Sequence, residues 1–124
     1  MKIPQGHQSV MPYLILPEAE NFSEFTKQVF DAKVSLTKLR EDEKTIMHSE
    51  LMIGNSTIMF AGTTEQFTTQ TAHLFVYVDN ADETYEKALN NGATSVMGLS
   101  DQDYGRTCGV LDPFGNTWWI TSVN

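Results

Sequence analysis

The chain has 124 residues and a formal net charge of −8, with 8 Lys and Arg against 16 Asp and Glu. This length fits one domain, and the few scattered basic residues argue against nucleic acid as a partner, which would need a Lys/Arg patch. A single cysteine (Cys108), an N-terminal stretch broken by Pro4, Gly6, His7 and Pro12, and no run near the ~18 apolar residues of a membrane span point to a soluble, cytoplasmic protein without disulfides.

Val10–Leu16 reads as a short buried strand closed by Pro17. Pro12 within it removes a ladder donor and predicts an edge position. From Glu18 to Phe30 the spacing becomes helical, with Phe22, Phe25 and Val29 on one face and Glu18 and Glu20 in the first turn. Three strand-like runs follow, Lys33–Arg40, Thr45–Ile53 and Ser56–Ala61, broken by the charged turn Glu41–Lys44 and by Gly54-Asn55. Gly62–Thr71 is rich in Thr and Gln and reads as a linker.

The same order then recurs. Ala72–Val78 is an apolar strand, and Asn80 with Glu83 forms a capping-box signal for a helix over Ala81–Asn90 that Asn91-Gly92 ends. Thr94–Leu99, Arg106–Leu111 and Thr117–Val123 are three further strands, the last two joined by a turn at Asp112–Gly115. Gly54-Asn55-Ser56 overlays Gly115-Asn116-Thr117 at an offset of 61 positions, and Ala32 overlays Ala93 at the same offset. The chain therefore reads as two βαβββ modules, residues 9–61 and 72–123, within one α+β domain. Each module alone would leave a sheet face bare. Two together predict an open, barrel-like, mostly antiparallel sheet with helices outside and a ligand cavity on its concave face.

Met11-Pro12-Tyr13-Leu14, Met47-His48-Ser49-Glu50-Leu51 with Ile53-Gly54, Asp103-Tyr104-Gly105-Arg106 and above all Asp112–Ile120 (DPFGNTWWI) resemble the vicinal-oxygen-chelate superfamily. This group includes glyoxalase I, bleomycin-resistance proteins and extradiol dioxygenases, and the likeness is to its PhnB-like branch. The resemblance implies paired βαβββ modules and a homodimer, with the cavity formed within one chain or across two. It also implies a divalent ion held by four side chains, mostly His and Glu, one from each of four strands. In this sequence those positions hold Pro12, Ile58 or Met59, His73 and Trp119. Only His73 keeps a donor, so the usual metal site is expected to be absent.

A non-standard site is the alternative. His48 and Glu50, two apart on a strand, face the same way, and with His73 they would bind a divalent metal or move a proton. The plainer reading is that His48 and Glu50 hydrogen-bond each other or the backbone and shape the cavity wall. Trp118 and Trp119 must face opposite sides of their strand. Trp119, at an inward position, is a flat platform for an aromatic or cationic ligand, or else a packing residue. Arg106 would clamp a carboxylate or phosphate, or pair with a surface acid. Tyr104 would close over a ligand or pack, and Met59 would line an adaptable cavity wall. Cys108 reads as a buried structural thiol, and His7 receives no role. Two functions remain in view. One is a small-molecule binding module. The other is a lyase, isomerase or dioxygenase built on His48, Glu50 and His73.

Overall fold

The computed structural model describes residues 1–123. Its elements are β1 (Tyr13–Leu16), α1 (Ala19–Phe30), β2 (Lys33–Leu39), β3 (Ile46–Ile53), β4 (Ser56–Gly62), β5 (His73–Tyr77), α2 (Ala81–Asn90), β6 (Thr94–Gln102), β7 (Gly105–Leu111) and β8 (Thr117–Ser122). The doubled βαβββ order is borne out. The two four-stranded sheets have matching strand orders, β1-β4-β3-β2 and β5-β8-β7-β6. In each, the first strand runs parallel to the last and the other pairs are antiparallel, so the sheets are open rather than closed barrels.

Alternation along the strands decides which face is covered. Leu14, Leu16, Leu51, Ile58 and Phe60 of the first sheet are buried with Val76, Cys108, Val110, Trp118 and Ile120 of the second in one core. Helix α1 joins the two. Its Phe22 ring lies 5.0 Å from Phe60 and 5.5 Å from Phe114, and Phe30 lies 4.5 Å from the fully buried Trp118. Full burial of each such ring contributes about 2–3 kcal/mol. The opposite, concave faces carry the alternate residues, and Tyr13, Leu36, Phe75 and Tyr77 on them are exposed.

Several strand ends shift by a residue from expectation, and four boundaries differ for a clear local reason. The first strand begins at Tyr13 rather than Val10, because Pro12 has no N–H to donate; its carbonyl accepts instead from the Met59 N–H at 3.0 Å. The first helix begins at Ala19, with Glu18 outside it in the left-handed region (φ 50°) and no side-chain cap. β6 runs to Gln102, past Leu99, because Gly105 and Arg106 of β7 continue the ladder with Gln102 and Asp101. The supposed linker is partly built in. Gly62 completes β4, and Gln70 exchanges two backbone hydrogen bonds with Ile15, covering the outer edge of β1. The second helix matches its expected bounds, and the Asn80 side chain accepts from the Glu83 N–H at 3.1 Å.

The DPFGNTWW stretch is held by Asp112, which is buried and only 3% exposed. Its carboxylate accepts from the N–H groups of Phe114 (2.8 Å) and Asn116 (2.9 Å), from Asn116 Nδ2 (3.0 Å) and from Trp118 Nε1 (2.8 Å). Asn116 in turn accepts from the Ala72 N–H at 3.1 Å, which ties this turn to the start of β5.

Candidate functional site

On the first sheet, register sets Tyr13 beside Met59 and Met59 beside Glu50, so the three share the concave face with His48. Glu50 is 8% exposed, and both its carboxylate oxygens are engaged. His48 Nε2 lies 2.8 Å from Oε2, and His7 Nε2 lies 2.7 Å from Oε1. These contacts, His48 first and His7 second, hold the Glu50 carboxyl below its ordinary value, against the opposing effect of burial. The Tyr13 hydroxyl lies 3.1 Å from His48 Nδ1, with the rings 5.5 Å apart. An ionised carboxylate only accepts, so each imidazole must present an Nε2–H to it. In neutral His48 the Nδ1 is then bare, and Tyr13 is its donor.

His7 was not legible as a site residue. The N-terminal segment is seated on the sheet at Thr57, whose Oγ1 donates to the Gly6 carbonyl. Gln8 accepts from the Thr57 N–H at 3.3 Å and donates to the Thr57 carbonyl at 3.0 Å. His7 reaches Glu50 across 43 positions of sequence, and no local pattern signals such a contact.

Beside Tyr13, at the end of the first sheet, lies a cavity of about 740 Å³. Tyr13, Ile15, Met47, Ala61 and Phe67 make its walls apolar, and Arg40 and Glu65 are the charged residues that line it. Arg40 donates through Nη2 to the Gly62 carbonyl at 2.9 Å.

The second sheet carries a different surface. Trp119 and Trp118 face opposite sides, as strand alternation requires: Trp118 is 1% exposed in the core and Trp119 lies half-buried on the concave face. Trp119 lies against Gly109, where an added Cβ would stand 2.5 Å from the indole, so only glycine lets the ring rest on the sheet. Its Nε1 donates to His73 Nδ1 at 3.2 Å, and the two rings stack at 15° and 6.1 Å. Phe75 is Trp119's neighbour in register, and Tyr77 and Tyr104 pack against Phe75 at 5.2 and 6.4 Å.

His73 thus belongs to the aromatic face of the second sheet, while His48 and Glu50 belong to the first. Among the described residues no three His, Cys, Asp or Glu side chains form a group able to hold a metal ion. Pro12, Ile58 or Met59, and Trp119 at the superfamily's other ligand positions lack donors for a hard divalent ion, so this chain's residues do not fit the usual metal. His48 and Glu50 do form a hydrogen-bonded pair on the first sheet, apart from His73.

Arg106 stands apart from both faces' ligand-facing groups. Its guanidinium is taken by Asp82 at 3.0 and 3.2 Å and by Asp101 at 3.4 Å, the surface pair rather than a free clamp. Cys108 is fully buried, and burial pushes its thiol up to about 11, which suits a structural residue rather than a nucleophile.

Glu50 makes the first sheet's cluster sensitive to acid. Its folded value lies below the ordinary 4.5, so the stability it contributes is present above 4.5 and lost as pH falls through the folded value. Glu50→Gln is expected to flatten that acid limb. Urea midpoints of the two proteins should converge as pH falls through the folded value of Glu50, and parallel curves would contradict the assignment.

The model of the Glyoxalase/Bleomycin resistance protein/Dioxygenase superfamily matches residues 13–120. With the doubled βαβββ order and paired open sheets, this match defines the class: the chain belongs to that superfamily. Among its relatives is the uncharacterized protein Mb0911c of Mycobacterium bovis, 32% identical over 124 residues, covering 89% of this chain and 80% of that one. Among solved structures, TioX from Micromonospora sp. ML1 superposes with a TM-score of 0.73 at 23% identity, covering 94% of this chain and 97% of its own. The PhnB protein from Bacillus cereus superposes with a TM-score of 0.71 at 15% identity, covering 94% and 100%. No helix among the described residues is long and apolar enough to cross a membrane.

Proposed function

We propose that this chain is a PhnB-like binding protein of the superfamily, a cytoplasmic homodimer that holds a planar, apolar small molecule without the usual metal. The observation that carries this reading is the platform on the second sheet. Trp119 rests over Gly109, stacked with His73 and beside Phe75, and three large aromatic side chains there, Phe75, Tyr77 and Tyr104, are at least half exposed. Aromatic faces favour offset stacking against flat ligands, worth about 0.5–1.5 kcal/mol per ring beyond area burial. An apolar surface of this kind on a soluble protein asks for a ligand or a partner.

The second copy supplies the other wall. Both concave faces point away from the shared core, and both carry exposed apolar groups: Tyr13, Leu36 and Met47 on one sheet, Phe75 and Tyr77 on the other. A twofold dimer that sets the first sheet of one chain opposite the second sheet of its partner encloses the ligand and covers both faces. Met59 then forms part of the wall facing the aromatic platform, and Tyr104 its rim.

Thermal unfolding with a panel of planar aromatic compounds tests this. A compound bound only by the native state raises the melting temperature, by about 2.7 kcal/mol of stability at a hundredfold excess over Kd. The rise is expected in the wild type and lost in Trp119→Ala. A rise that survives Trp119→Ala, or none with any compound, contradicts the platform.

A further inference from the structure

The hydrogen-bonded chain on the first sheet is more ordered than a cavity wall needs. Glu50 fixes His48 Nε2–H at 2.8 Å, which in the neutral imidazole leaves Nδ1 bare for the Tyr13 hydroxyl at 3.1 Å. Of these three, Tyr13 is the one that also lines the 740 Å³ cavity, and at 49% exposure its side chain is open to whatever enters. A carboxylate, an imidazole and a hydroxyl in this order pass a proton from the hydroxyl end toward the imidazole and hold the resulting imidazolium against the carboxylate.

We propose that Tyr13, His48 and Glu50 are a proton relay that takes the acidic hydroxyl of a ligand in the adjoining cavity, a phenol or an enol, and holds it as its anion. The ligand's O–H bond breaks as its proton passes to Tyr13 Oη. The proton Tyr13 already carries passes to His48 Nδ1. Tyr13 ends neutral, His48 ends as imidazolium on Glu50, and the ligand oxygen ends as an anion hydrogen-bonded by Tyr13. One proton is moved and no oxidant or reductant is required.

The surroundings suit an anion at that end. Arg40 lines the cavity and gives one N–H to the Gly62 carbonyl, which leaves further donors for the ligand. Lys38 on β2 stands opposite His48 in register, and His7 on the N-terminal segment completes Glu50. Glu65 also lines the cavity and is its one opposing charge. The apolar walls of Ile15, Ala61 and Phe67 take the body of the ligand. This relay deepens the ligand-binding reading above and rests on it, but it sits on the other sheet and fails separately.

The test uses 4-nitrophenol, whose phenolate absorbs at longer wavelength than its phenol. Full-length protein is added at a pH below the probe's own pKa, and bound probe is measured in parallel by equilibrium dialysis. Bound probe is expected to show an apparent pKa lowered by about one unit, a roughly tenfold shift toward phenolate. Tyr13→Phe keeps the ring and is expected to abolish the shift in the probe that remains bound, read per bound molecule from the dialysis, and His48→Gln to do the same. Probe bound as neutral phenol, or a phenolate shift unchanged in both variants, overturns the relay and leaves the binding reading standing. Failure of 4-nitrophenol to bind at all, when other planar aromatics do, overturns the ligand class assigned here.

Discussion

Asp112→Ala is expected to lower the melting temperature by about 10 °C, a loss of about 3 kcal/mol for a chain of this size. The carboxylate is buried and accepts four hydrogen bonds from three residues, two of them backbone donors of a turn and one the indole of the core Trp118. Truncation leaves those donors inside the protein without water or partner, and the cost of orphaned donors exceeds the modest net worth of the bonds themselves. The damage spreads, since Asn116 also anchors the Ala72 N–H at the mouth of β5 and Phe114 packs edge-on against Phe22 and Phe25. Circular-dichroism melts of the two proteins check this. A loss below about 1 kcal/mol would mean that the turn is held by packing rather than by the carboxylate.

Gly109→Ala is expected to weaken binding of a planar aromatic ligand by about tenfold, with a smaller effect on stability. The new methyl group would stand 2.5 and 2.8 Å from two indole carbons of Trp119, closer than atoms pack. The ring must lift off the sheet, which breaks its stacking with His73 and its 3.2 Å hydrogen bond. Because Trp119 is half-buried at the concave face rather than locked in the core, the fold can absorb that motion while the platform cannot. Fluorescence titration of the variant against the wild type measures it. An unchanged Kd would show that the ligand does not lie on Trp119.

Much of this architecture was legible because it repeats. Gly54-Asn55-Ser56 and Gly115-Asn116-Thr117 open β4 and β8, and the 3.6-residue spacing of Phe22, Phe25 and Val29 places α1 on the core. The alternation that separates Trp118 from Trp119 was legible for the same reason, since period-two placement is a local property of a strand. What was not legible depends on distant partners. Proline at position 12 announced an edge but not where the ladder starts, which is set by the Met59 N–H across the sheet. Arg106 has the chemistry of an anion clamp, and only the fold reveals that Asp82, 24 positions away, already occupies it. His7 and Tyr13 join Glu50 and His48 through side-chain contacts between the N-terminal segment, β1 and β3, which no periodicity encodes.

A concave surface that serves as proposed holds a planar molecule and returns it unchanged. Equilibrium dialysis of the wild-type protein against the aromatic compound that stabilises it most, with the compound recovered and identified by mass spectrometry, tests this directly. Saturation at one molecule per chain, with the recovered mass unaltered, is the predicted result. Conversion of the compound, or uptake that never saturates, would contradict it.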